Sequence, residues 1–160
     1  MQLSEKLKEA MTFVLGGFEK LDGMCLGGSV ALSTRLDELG VSSYVALGTL
    51  TCDGITAFEY SKPNFPKTKD GKFDWDGHAW CVVENHWIAD ITLIRTARAL
   101  PVGSNLKRHF LPILNKGAII VRRKGDVSSS DKLKYQECAR LPKSSYDSLL
   151  AGVMHHNNIY

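Results

Sequence analysis

Gly77-His78-Ala79-Trp80-Cys81-Val82-Val83-Glu84-Asn85-His86-Trp87-Ile88-Ala89-Asp90 reads as a hairpin, and the rest of the chain can be placed around it. Ala79–Val83 and Trp87–Ala89 are rich in β-branched and aromatic residues, and Glu84-Asn85-His86 between them is a tight turn. Such a turn pairs residues whose numbers sum to about 170, so His78, at the entry of one strand, lies opposite position 92. Asp90, at the exit of the other, is two places from that register and points to the same face. It is within the diagonal reach of cross-strand neighbours. The hairpin therefore predicts a hydrogen bond between the Asp90 carboxylate and the His78 ring.

Upstream, residues 51–77 carry Asp53-Gly54, Pro63, Pro66, Asp70-Gly71 and Asp76-Gly77, which predicts a loop region with one short hairpin in its middle. Before it, Val41–Leu50 has the β-branched and aromatic content of a buried strand. Two helices precede that strand. Apolar residues from Leu3 to Leu21 recur at helical spacing, with Gly16-Gly17 expected to loosen the middle. A second helical run begins at Cys25, buries Leu26, Val30, Leu32 and Leu36, and ends at Gly40 as its C-terminal cap. Downstream, Leu93–Leu100 predicts a short helix stopped by Pro101, Gly117–Arg122 a strand and Ser144–His155 a terminal helix. Residues 106–114 are ambiguous around Pro112, and Ser128-Ser129-Ser130 marks a surface loop. The sum is an α+β domain in which the Cys25 helix packs on an antiparallel sheet.

With 160 residues, 44% of them apolar and 23% charged, the chain has the bulk of one globular domain, taken as 1–160. Charges interrupt the first nine residues, and no run of about 20 apolar residues occurs, so neither a signal peptide nor a membrane partner is expected. The expected location is cytoplasmic, with leaderless secretion as an effector or toxin the open alternative. Cys25, Cys52, Cys81 and Cys138 lie far apart with no C-x-x-C pair, which fits reduced thiols of which one is chemical. The net charge of +3 is uneven. Residues 1–106 hold 10 Lys+Arg against 13 Asp+Glu, and residues 107–143 hold 10 against 3. A solvated basic face is the preferred account of that stretch, ahead of nucleic-acid binding.

A cysteine does covalent acyl chemistry as thiolate, and a helix N-terminus favours that anion. Cys25 begins a helix, and the small neighbours Gly23, Gly27 and Gly28 are read as admitting a substrate backbone and freeing first-turn N–H groups for an oxyanion. A nucleophile needs a base, and the base needs a partner that fixes its tautomer. Of the five histidines only His78 has an aspartate placed to do this.

Three blocks carry a resemblance. Gly23-Met24-Cys25 leads a helix, Gly77-His78-Ala79-Trp80 leads a strand, and Trp87-Ile88-Ala89-Asp90-Ile91-Thr92 closes the next. In this order they resemble the core of the transglutaminase-like, papain-like cysteine enzymes over about 70 residues, Gly23 to Thr92. The resemblance implies that Cys25 attacks a carboxamide, ester or peptide carbonyl, that His78 activates the thiol and protonates the leaving amine, and that Asp90 holds the imidazole. It implies a hydrolase (a peptidase, amidase or deamidase) working through a thioester, with transfer to an amine as the variant chemistry. Its substrate would be a protein, a peptide or a small amide, and no cofactor is implied. Gly77, Trp75 and Trp80 are the candidate substrate-binding residues, Trp75 as a lip beside His78.

Two other readings stand beside it. Cys25, His78 and Asp90 carry atoms that also ligate zinc, but their order and spacing fit a thiol triad better, so no metal is assigned. A binding module using Arg122-Arg123-Lys124 and its basic surroundings, with the triad vestigial, is the rival from another class. Cys81 alternates away from His78 and is assigned to packing, and Cys52 and Cys138 are given no role.

Overall fold

The structure, a computed structural model, describes residues 1–19, 24–63, 75–104, 107–108, 119–126 and 132–157. Helix α1 runs Leu3–Gly17 and α2 Cys25–Glu38, followed by strands β1 Ser43–Cys52, β2 Ile55–Phe58, β3 His78–Val83 and β4 Trp87–Asp90. Then come α3 Leu93–Ala99, β5 Ile120–Arg123, β6 Leu133–Arg140, a 3-10 turn Lys143–Ser145 and α4 Tyr146–His156. The architecture is α+β: four α-helices among the described residues and one antiparallel sheet. No helix among them is long and apolar enough to cross a membrane.

β1 is the hub of the sheet. One edge pairs with β6 over Ala46–Cys52, and the other is shared by β3 along Ser43–Gly48 and β2 along Leu50–Cys52. β2 therefore ends where β3 begins, which brings Phe58 to His78. β4 pairs with β3, and β5 with β4. The two outermost strands also meet, Arg122 Nη1 of β5 donating to Leu133 O of β6 at 3.1 Å, so the sheet curls.

Strand alternation sorts the two faces. Ala79, Cys81 and Val83 of β3 join Val45 and Leu47 of β1 under α1, α2 and α4, where Val14, Val30, Leu32, Leu36 and Val153 fill the largest core. Trp80 and Val82 face the opposite side with Ala46 and Ile88. That side continues into Leu50, Cys52, Ile120 and Leu133, which pack against Leu93, Ile94 and Ala97 of α3.

The observed β3–β4 register pairs Cys81 with Ala89 and Val82 with Ile88, as the expected hairpin requires. Its three-residue turn holds Glu84 and Asn85 at φ 52 and 58, a left-handed pair closed by His86 N–H on Val83 O at 3.0 Å. Gly40 caps α2 at φ 72, with its N–H on Asp37 O and that of Val41 on Leu36 O. Other expectations are corrected. Gly16-Gly17 ends α1 rather than loosening its middle, because the glycines there gain nothing from packing to offset their backbone entropy. A hairpin lies at the start of the 51–77 region, where β1 runs on to Cys52, turns at Asp53-Gly54 and returns as β2, while residues 64–74 in its middle, where a short hairpin is expected, lie outside the described residues. β6 was not expected at all, and β5 begins at Ile120. Residues 109–118, Ser128-Ser129-Ser130 and the Asp70-Gly71 turn lie outside the described residues.

Candidate active site

The site is built where three strands and a helix meet. Gly77 has φ 133, a backbone open to glycine, and a Cβ there would come within 2.6 Å of the Trp75 ring. From it the chain enters β3 with His78 on the face of Trp80. The His78 ring stacks on Phe58 at 5.3 Å between centroids and on Trp80 at 6.0 Å. Gly48, beside it on β1, leaves room for this: a Cβ there would fall 2.7 Å from the Trp80 ring and collide with Gln136 O.

His78 Nε2 and Asp90 Oδ2 are 2.6 Å apart, and both side chains are buried. The same Asp90 oxygen accepts from Tyr135 Oη at 2.9 Å. Asp90 Oδ1 accepts the backbone N–H groups of Thr92 at 3.2 Å and Leu93 at 3.1 Å, at the start of α3. A buried carboxylate is tolerable only when its lone pairs are engaged, and here four donors engage them. That arrangement also fits a hydrogen-bonded anion better than a metal ligand. Among the described residues no group of three or more His, Cys, Asp or Glu side chains is arranged to hold a metal ion.

Cys25 is half-buried at the first turn of α2. One turn on, Cys81 Sγ of β3 donates to Ser29 O at 3.0 Å, which pins the helix to the strand that starts at His78. Desolvation depresses the His78 pKa, but the Asp90 charge and hydrogen bond outweigh it, and a hydrogen bond and charge interaction with Cys25 add to them. The net effect raises it from 6.5 to about 10. On Asp90, burial works to raise the pKa, and the His78 charge and hydrogen bond, with Tyr135 and Leu93, reverse this and lower it. Both directions agree on an imidazolium–carboxylate pair. With Nε2 on Asp90, Nδ1 is the ring nitrogen left for the sulfur.

The expected trio of Cys25, His78 and Asp90 is thus brought together. Trp75 is half-buried, with its indole N–H donated to Ser61 O at 2.7 Å, and Gly77 is buried beneath it. Trp80, expected at the substrate, is instead 1% exposed between His78 and Tyr135. It backs the imidazole and presents no surface. The glycines after Cys25 also serve differently than expected. A Cβ on Gly27 would collide with the Val153 side chain of α4, so its smallness serves helix packing. Gly28 N–H already donates to Met24 O at 2.8 Å. The N–H groups of Cys25, Leu26 and Gly27 are the ones without an intrahelical acceptor. Gly23 lies outside the described residues.

Tyr135 and Phe58 were missed from the sequence. The one signal for Tyr135 is its alternation with Leu133, in a strand that otherwise shows few apolar residues.

Many basic side chains of 107–143 are turned to internal use. Arg122 lies over the Tyr135 ring, Arg123 over Trp87, Lys124 and Arg140 over Tyr44, and Lys132 pairs with Asp53. Cation–ring and edge-strand roles of this kind set these side chains against the fold's own rings and strand edges.

Comparison of the chain with protein-family models, with curated proteins and with solved structures finds no match.

Proposed function

We propose that this chain is a thiol hydrolase with a papain-like, transglutaminase-like core, cleaving amide or peptide bonds through a Cys25–His78–Asp90 triad. The observation that carries the reading is the buried His78 ring held at Nε2 by Asp90, with Cys25 near enough to help raise the ring's pKa. An imidazolium fixed beside a sulfur at a helix N-terminus favours the thiolate, the form that attacks carbonyls.

The steps follow from these positions. Cys25 Sγ attacks the carbonyl carbon, and the oxyanion that forms is met by first-turn N–H groups, that of Cys25 first. On collapse His78 gives the proton at Nδ1 to the leaving amine, and a thioester remains on Cys25. His78 then takes a proton from water, whose oxygen attacks the thioester. The acid leaves, and thiolate and imidazolium are restored. Asp90 keeps the ring's orientation and balances its charge throughout.

The test is the rate of iodoacetamide labelling at Cys25, followed by peptide mapping from about pH 5 to about pH 9, in the natural sequence and in His78→Ala. Labelling that persists well below pH 8 and drops at least about tenfold in His78→Ala is the expected result. Labelling in both proteins that merely follows the ionisation of an ordinary thiol would end the proposal.

A further inference from the structure

Residues 60–61 and 75–76, on either side of 64–74 in sequence, lie side by side. Ser61 N–H donates to Asp76 O at 3.2 Å, Trp75 donates to Ser61 O, and Tyr60 N–H is held by Thr49 Oγ1 at 3.0 Å. Between them lies a groove of about 550 Å³. Its lining includes Phe58, Glu59, Tyr60, Trp75, Asp76 and Gly77. Phe58 stacks on the His78 ring and Gly77 directly precedes it, so the groove opens beside the proposed base.

The chemistry of the lining is one-sided. Tyr60 and Trp75 meet edge to face at 6.2 Å, and the indole N–H is already committed to Ser61, so what Trp75 has left to offer is ring surface. Among the described residues the lining holds two carboxylates, Glu59 and Asp76, and no Lys, Arg or His. Among the described residues neither carboxylate has a hydrogen-bond or ion-pair partner. Aromatic faces together with unpaired carboxylates match a cation that is flat or carries an alkyl stem, and they repel an anion. The chain itself shows that pairing elsewhere, where the Arg140 guanidinium lies 3.8 Å from the Tyr44 ring centre.

We infer that the groove selects substrates carrying a cationic side chain, an arginine or lysine of a peptide, next to the bond that Cys25 attacks. This rests on the thiol-hydrolase reading and adds its substrate class.

The experiment compares three peptidyl acyloxymethyl ketones that differ in one side chain only: arginine, its uncharged isostere citrulline, or glutamate. The measurement is the second-order rate of Cys25 modification in the full chain. Arginine is expected to react about fivefold faster than citrulline at low salt, and glutamate more slowly than citrulline. The ratio should shrink toward one as salt rises, and also in the Glu59→Gln/Asp76→Asn double variant. Equal rates for arginine and citrulline, or a preference that survives in the double variant, would overturn the inference. So would failure of the arginine probe on a Cys25 that iodoacetamide still labels. A Cys25 that resists iodoacetamide as well overturns the hydrolase reading beneath it, and the inference goes with it.

Discussion

Tyr135 donates its phenolic proton to the Asp90 oxygen that also holds His78, at 2.9 Å, across 45 residues of sequence. Asp90 therefore has a partner from β6 as well as from its own hairpin, and Tyr135 acts on His78 through Asp90. The contact helps to lower the Asp90 pKa. Tyr135→Phe keeps the ring against Trp80 and removes only the donor. A hydrogen bond to a buried charge contributes about 1.5–3 kcal/mol, so the variant is expected to lose stability of that order at pH 7. The deficit should narrow as pH falls and Asp90 becomes protonated in both proteins. Urea titrations of the two proteins across acid pH check this, and a deficit that stays constant with pH would mean that the phenol does not act through the carboxylate.

What could be read from sequence and what could not divides along local and distant contacts. The His78–Asp90 pairing was legible because the tight turn Glu84-Asn85-His86 fixes the register of the strands on either side of it, and register fixes which side chains share a face. The start of α2 at Cys25 and its end at Gly40 were legible for the same local reasons. Tyr135 was not. β6 is mostly exposed, so its apolar alternation fades after two positions, and its register against β1 shifts between Leu47 and Gly48. Phe58 reaches His78 only because β2 and β3 share one edge of β1, a fact of sheet topology that no short stretch encodes. Gly27 was read as serving the substrate when it serves the contact with α4, some 125 residues away, whose approach leaves no mark near Cys25. Periodicity and turn chemistry report neighbours, and these three contacts are not neighbours.

The four cysteines should separate by accessibility and environment. Cys138 is exposed and Cys25 half-buried, whereas Cys52 and Cys81 are buried. Burial, the largest influence on Cys81, together with the Asp90 charge pushes its pKa up, and the thiol is spent on Ser29 O. A short pulse of iodoacetamide on the native protein at pH 7 is expected to label Cys25 first, Cys138 more slowly, and neither Cys52 nor Cys81 until denaturant is added. Peptide mapping by mass spectrometry reads the order directly. Labelling of Cys81 in the native state would show that α2 does not stay seated on β3.

The pH dependence of stability follows from the pair at the centre of the site. His78 has its pKa raised from 6.5 to about 10 in the folded chain. Below about pH 6.5 both folded and unfolded chains carry its proton, and the full contribution of the imidazolium–carboxylate pair is present. Between there and about pH 10 the folded chain holds a proton that the unfolded chain has lost, so stability falls as pH rises. Asp90 acts at the other end: its lowered pKa stabilises the fold above the ordinary value of 3.8, and that contribution is lost as pH falls. The elevated pKa values of Cys81, Tyr44 and Tyr146 add losses of the same sign as those from His78, but only from the thiol and phenol ranges upward. Between about pH 6.5 and about pH 8.5 His78 works to lower stability, and a Cys25 held as thiolate, as proposed, works the other way, because the folded chain then lacks a proton that the unfolded thiol keeps. In Cys25→Ala, which removes that opposing contribution, unfolding free energies there are expected to decline with a slope approaching about 1.4 kcal/mol per pH unit, that of one proton. The ring can also be observed by itself, since in nitrogen-15 NMR spectra the His78 imidazole should remain doubly protonated at pH 8. A neutral His78 ring at that pH, with no decline in the stability of Cys25→Ala across the interval, would remove the imidazolium on which the proposed nucleophile depends.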